Sequence, residues 1–348
     1  MATAETFATG EPISLQKSAF PIAAPETFVW AAAVVLLSLA SSNAWLGVGR
    51  DYLEYVDYFQ RIPPFFSFQD TRFEPGFHII AWTFALIFKQ SYNAFFFVIV
   101  FSALSIKAFL FKKYLSYPVT AMVVYIATFY PSQEYTQIRA ALAISLGMLA
   151  IHLFFEKRFF LTAFTCLAAF SFHYSIVLLF VAFGGSYLLR RNLASLVAVS
   201  LALIVVVATL VSGGGINNVL ISLFSNFNPL VGNYVDNIAA IDSASMGSVN
   251  NIIVVGIFLA ALSAGWLYQG IYRKCFTLMV ALSIVFVIIL SDSPIIAVRA
   301  KEMLMVSVVF ATFRYQWSTR DIPPVLLVFC NASLLLFLSV REGVIFSN

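Results

Sequence analysis

Arg139, Arg299 and His173 each stand at the edge of a long apolar run, and Glu74 stands just ahead of a shorter one. An uncompensated charge at the membrane centre costs at least ~2.5 kcal/mol, so such residues belong beside a wet cavity. Singly, each has a plain reading: an arginine near a helix end snorkels to the headgroups, and a lone histidine packs through a hydrogen bond. Falling together on one side of the chain's alternating runs, they outline one site for an anionic ligand. A planar guanidinium suits that work because it grips diphosphate oxygens in pairs.

Two polar stretches supply further candidates. Residues 47–74 contain Arg50, Asp51, Tyr52, Glu54, Tyr55 and Asp57. Tyr52, Tyr55 and Phe59 recur at helical spacing, as do Asp51, Glu54 and Tyr58, which predicts a short amphipathic helix at the interface. Aromatics beside carboxylates equally suit a sugar-binding wall, with rings on pyranose faces and carboxylates accepting hydroxyl protons. Glu74-Pro75-Gly76-Phe77 then opens the next segment. Pro75 fits a first helical turn, which sets the Glu74 carboxylate at the positive end of the helix dipole. Residues 212–250 begin with Gly213-Gly214-Gly215 and include Tyr234, Asp236 and Asp242. At about 40 residues this connection has the length of a lid or binding element, and Tyr234 joins Tyr52 and Tyr55 as a sugar-binding candidate.

The elements that must position these residues follow from composition. The chain has 348 residues, 61% hydrophobic and 10% charged, against roughly 25% charged in soluble domains. That excludes a soluble enzyme, a disordered chain and a nucleic-acid binder. The fold class is all-α, a polytopic transmembrane helical bundle forming one integral domain over 1–348, with external loops at 47–75 and 212–250. A span needs about 20 apolar residues. Eleven runs come near it: 28–46, 93–111, 117–130, 138–155, 159–172, 174–189, 193–211, 251–269, 276–290, 295–313 and 324–340. The polar start, up to Glu26, makes the first run an uncleaved anchor. The run 77–88 has only 12 residues, roughly 18 Å of helix, and is expected to re-enter or half-span.

Lys112-Lys113, Lys157-Arg158, Arg190-Arg191, Arg273-Lys274 and the pair Arg314 with Arg320 form five basic clusters, each two spans from the next. The positive-inside rule puts all five in the cytoplasm. The N-terminus is then inside as well, provided 77–88 re-enters. Arg139, His173, Arg299, Glu74 and most remaining charges, including Glu134 and Glu302, fall outside. Lys107 is the exception, expected to snorkel toward Lys112. Cys166, Cys275 and Cys330 form no Cys-x-x-Cys pair and have no nearby histidine, so neither a disulfide nor a metal is expected. Walker, dinucleotide and zinc signatures are missing, and no cofactor is expected.

The order Gly49-x-Asp51-Tyr52, Glu74-Pro75-Gly76-Phe77, Ile138-Arg139, Phe172-His173-x-Ser175 and Arg299 resembles the EpsG-like, Wzy-type polysaccharide polymerases. The motifs run over most of the chain. The resemblance implies a multi-pass bacterial inner-membrane glycosyltransferase whose active site faces the periplasm or cell exterior. Its partners would be the lipid bilayer and oligosaccharide repeat units on undecaprenyl diphosphate, with a chain-length regulator protein as a further candidate and no nucleic acid. The growing glycan would pass from its lipid diphosphate to the free end of the next lipid-linked unit.

Such a substitution develops charge on the departing diphosphate, where preorganised cations contribute most; Arg139 and Arg299 are assigned to it, with Arg50 as third. It also removes a proton from the acceptor hydroxyl. The base candidates are Glu74, His173 and Asp51 in that order, since a carboxylate stays ionised beside arginines while His173 in the same field would be held neutral. Two other classes use the same residues: a flippase or other secondary transporter of lipid-linked oligosaccharides, whose cations would be reachable from both faces, and a membrane acyltransferase with His173 as its base.

Overall fold

The computed structural model describes residues 24–45, 51–63, 65–66, 73–88, 91–189, 249–290, 294–314 and 316–341. Among them every regular element is helical. Helices α1 (Ala24–Ser42), α2 (Tyr52–Gln60), α3 (Pro75–Phe88), α4 (Tyr92–Tyr114), α5 (Pro118–Thr128), α6 (Ile138–Phe155), α7 (Phe159–Phe172) and α8 (Val177–Leu189) form the first part. Helices α9 (Val249–Ser263), α10 (Gly270–Ile289), α11 (Pro294–Phe313) and α12 (Ile322–Arg341) form the second. Proline marks the first residue of α3, α5 and α11, where its missing N–H would have no helical partner anyway.

Four helices are long and apolar enough to cross a membrane by length and composition: α4, α6, α10 and α12. Helix α11 has 20 residues but carries Arg299, Lys301 and Glu302. Others are shorter: α7 fills its run of 14 residues, about 21 Å of helix, and α5 has 11. Outward-facing Phe28, Phe160, Phe164 and Leu167 give the bundle the apolar surface of a helical membrane protein. The expected run 193–211 and loop 212–248 lie outside the described residues, as do Arg50, Arg190, Arg191 and Tyr234.

Contacts at the helix ends define two opposite faces. Lys113 pairs with Glu156, so α4 and α6 finish together and run parallel. Lys112 reaches Thr27 at 3.4 Å, while Asn93 reaches Asn43 at 3.3 Å, so α1 runs antiparallel beside α4. Arg158 lies 3.3 Å from Glu156, and Arg314 donates to the Tyr114 carbonyl at 3.4 Å. Three of the five basic clusters therefore meet at one end, and Arg139, at the start of α6, lies at the other. Arg273, of the expected cytoplasmic cluster Arg273-Lys274, is fully buried, 2.9 Å from Asp321, and donates to the Ala311 carbonyl at 2.9 Å.

Helix α3 resolves the short run. Glu74, just before it, pairs with Arg139, and its last residue lies four positions before Tyr92, which begins α4 on that same side. Both ends of α3 are therefore at the Arg139 end of the bundle, so the segment does not run from one end of the bundle to the other. Phe95 of α4 packs against Phe77 at 5.2 Å and Phe84 at 5.8 Å, fastening the segment along α4.

Two charges depart from expectation. Lys107 does not extend toward Lys112; its ammonium turns to Glu134, with both side chains essentially fully buried. Cβ atoms on a helix tilt toward its N-terminus, and an ion pair lay in that direction. Glu134, expected among the external charges, belongs to a buried turn between α5 and α6.

Candidate functional site

Three backbone arrangements bring the site together. Pro75 starts α3 immediately after Glu74, and the His78 amide closes the first turn onto the Glu74 carbonyl at 3.0 Å. Gly76 then lies flat on the end of α7. A Cβ there would sit 2.3 Å from Ser171 Oγ and 2.8 Å from the Ser171 carbonyl oxygen, so only glycine permits this approach. Two residues beyond Ser171, His173 is extended (φ −161°, ψ 113°), between the end of α7 and the 3-10 turn Tyr174–Ile176. That break swings its imidazole away from the α7 repeat and onto Glu74.

Glu74 uses both carboxylate oxygens. Oε1 lies 2.8 Å from His173 Nδ1, and Oε2 takes a hydrogen bond from Arg139 Nη1. Arg139 is the second residue of α6, and its Nε donates to the Tyr55 hydroxyl at 3.3 Å. Its guanidinium carbon lies 4.4 Å from the Phe73 ring centre, with Tyr55 and Phe77 next at 5.5 and 5.7 Å. Aromatic faces attract such a cation.

Burial alone would raise the Glu74 carboxyl. The hydrogen bond from His173 and the charge of Arg139 outweigh it and hold the group down to about 2. Burial lowers His173; Glu74 opposes that, while the positive charges of Arg139 and Arg299 reinforce it, and the net direction is downward. An ionised carboxylate can only accept, so Nδ1 carries the proton and Nε2 presents its lone pair. Nε2 is buried and has no hydrogen-bond partner among the described residues. It is the one polar atom of the cluster with unused capacity and basic character.

Glu74, Arg139 and His173 are thus in direct contact, and Arg299 is close enough for its charge to act on His173 and Tyr55. Asp51 stands at the head of α2, its carbonyl accepting from the Tyr55 amide at 3.1 Å, and its charge reaches the Tyr55 hydroxyl. Tyr55 departs from the expected sugar-stacking role. It is 3% exposed, its hydroxyl is bonded to Arg139, and it shows no ring face to a ligand. Tyr52 packs edge-on against Phe96 at 5.3 Å and gives its hydroxyl to the Ser42 carbonyl at 3.2 Å. The helical periodicity of these tyrosines follows the packing of α2 on α3 and α4. Arg50 and Tyr234 lie outside the described residues.

Phe73 and Ser171 contribute to the site without having been singled out, and Gly76 was named only as part of Glu74-Pro75-Gly76-Phe77, where a glycine at a helix start not needed for φ carried the signal. Among the described residues, no group of three or more His, Cys, Asp or Glu could hold a metal ion.

A family model described as the EpsG family matches residues 27–342. Comparisons with curated proteins and with solved structures return no match.

Proposed function

The chain belongs to the EpsG family, polysaccharide-polymerase-like membrane proteins, and from this premise we propose that it joins lipid-linked oligosaccharide repeat units at the outer face of a bacterial inner membrane. The donor is a growing glycan on undecaprenyl diphosphate; the acceptor is the free end of another lipid-linked unit. The observation that carries the reading is Glu74 bridging Arg139 and His173 at the bundle end opposite the lysine and arginine clusters. With those clusters in the cytoplasm, the site faces outward.

In this mechanism the acceptor hydroxyl gives its proton to His173 Nε2 as its oxygen bonds to the donor's anomeric carbon. The bond from that carbon to the diphosphate oxygen breaks, and the electron pair leaves with the lipid diphosphate. Arg139 and Arg299 face the charge that develops there, which is where fixed cations lower a barrier most. Glu74 holds Nδ1–H, fixes the tautomer and stabilises the imidazolium that forms, the part a buried carboxylate plays beside a histidine base. His173 therefore replaces Glu74 as the preferred base. A carboxylate held near 2 is a weak proton acceptor at neutral pH, whereas efficiency favours a group titrating near the working pH.

The test is reconstitution of the purified protein with undecaprenyl-diphosphate-linked repeat units. A ladder of lengthened glycans with release of lipid diphosphate supports the proposal. Untouched units under conditions where the protein remains folded overturn it, and a single unit that gains only an acyl mass replaces it with acyl transfer.

A further inference from the structure

The turn between α5 and α6 is irregular backbone packed inside the protein, with Tyr130, Gln133, Glu134 and Tyr135 all buried. Loops normally run over surfaces, and non-helical backbone at membrane depth is tolerated only where protein or a cavity encloses it. Two consecutive side chains of this turn reach different helices. Gln133 Nε2 donates to the Glu302 carbonyl on α11 at 3.4 Å, while Ser132 Oγ donates within the turn to the Phe129 carbonyl at 3.2 Å. Glu134 pairs with Lys107, whose ammonium also donates to the Ala141 carbonyl at 3.2 Å. The Tyr125 hydroxyl closes the cluster, 2.7 Å from Glu134 Oε2 and 2.9 Å from Gln133 Oε1.

The positions of the tethered residues give the cluster its meaning. Ala141 follows Arg139 by two residues on α6, and Glu302 follows Arg299 by three on α11, both within one helical turn. The turn thereby grips the two arginine-bearing helices immediately beneath their arginines. A buried ion pair is weak evidence for stability, since hydrophobic replacement often does as well, and its best-attested use is fixing register. An ionisable pair inside a bundle also marks function by default.

We infer that Gln133 and Glu134, with Lys107, are positioning residues that set the separation of Arg139 from Arg299. This inference rests on the proposed role of both arginines in gripping one diphosphate. A 1 Å misplacement of a reacting group costs about 10²-fold in rate, so a clamp between the two cations is worth a buried charge pair.

The test uses the full chain with Cys166, Cys275 and Cys330 replaced and spin labels at Gln137→Cys and Val298→Cys, beside the two arginines. Dipolar spectroscopy on protein that elutes as a folded species is expected to give one narrow distance. Gln133→Leu cuts the Glu302 tie without stranding a charge, and it is expected to widen that distribution and to lower kcat/KM on undecaprenyl-diphosphate-linked units about 100-fold. Gln133→Ala, which removes the same tie without adding apolar bulk, is expected to widen it as well and serves if the leucine variant does not fold. A distribution unchanged in both variants, or already broad in the parent, overturns the clamp. Absence of polymer from the parent would overturn the proposed reaction instead, while the distances still judge the clamp.

Discussion

Glu74 Oε1 lies 2.8 Å from His173 Nδ1 while the other oxygen of the same carboxylate is bound to Arg139. One anion thus orients an imidazole and a guanidinium at once, and most of what can be tested about the site follows from that sharing.

His173→Ala removes the proposed base. Chain extension should fall by about 10² to 10⁴, the usual contribution of a positioned acid or base, with the protein level in the membrane unchanged. Polymer of native length and rate from this variant would leave His173 a packing residue.

Glu74→Gln keeps the shape and removes the charge that fixes the imidazole tautomer. Extension should drop sharply in single-turnover assays, while binding of undecaprenyl diphosphate persists through the arginines. Equal loss of binding and turnover would instead place Glu74 in ligand recognition.

The pH dependence has a definite sign. His173 is lowered below the ordinary histidine value by burial, so it is neutral at pH 7 and protonates only as pH falls below about 6.5. The rate should therefore be level above that value and decline on the acid side. Glu74 raises His173, so Glu74→Gln should move the declining limb further toward acid, whatever it does to the maximum. Glu74 itself, held down to about 2, contributes stability present above the ordinary carboxylate range and lost as pH falls toward 2. A limb that moves toward alkaline pH in Glu74→Gln would contradict this coupling.

Arg139→Lys keeps a positive charge and loses the planar fork that bonds Tyr55 and Glu74 together. Loss of kcat/KM by tenfold or so, at about 1.4 kcal/mol per decade, is expected from geometry alone. Parental kinetics would mean that a point charge suffices.

Gly76→Ala should drive α3 off α7, because the new Cβ meets both the hydroxyl and the carbonyl oxygen of Ser171. Overpacking of this kind costs about 1–3 kcal/mol, and here it also separates Glu74 from His173. Adding Ser171→Gly removes the hydroxyl clash and leaves the carbonyl clash, so rescue in a thermal-stability assay should be partial. Complete rescue would show that the backbone can yield.

Much of this arrangement was legible in residue order. Helices α6 and α7 occupy the expected runs, and the outlying charges at Arg139, His173 and Glu74 do share one end of the bundle. Hydropathy carries such information because lipid sorts side chains by polarity over whole turns. It carries little about direction within a helix: Lys107 had apolar neighbours on both sides, and only the fold supplies Glu134 above it. Arg273 read as one of a cytoplasmic basic pair, and the partner that neutralises it in the interior, Asp321, lies 48 positions away. The exchange of roles between Glu74 and His173 was likewise hidden, because it depends on which ring nitrogen faces the carboxylate. Periodicity in Tyr52 and Tyr55 correctly signalled α2 but not that Tyr55 would face inward, beneath a cation.

Because both ends of α3 lie at the Arg139 end of the bundle, the carboxylate at its head is held from that end alone. A shift of α3 bears directly on the seam between Gly76 and Ser171, whereas movement at the basic end reaches it only through the long helices. The seating of one short helix thereby becomes a physical input to the geometry of Glu74.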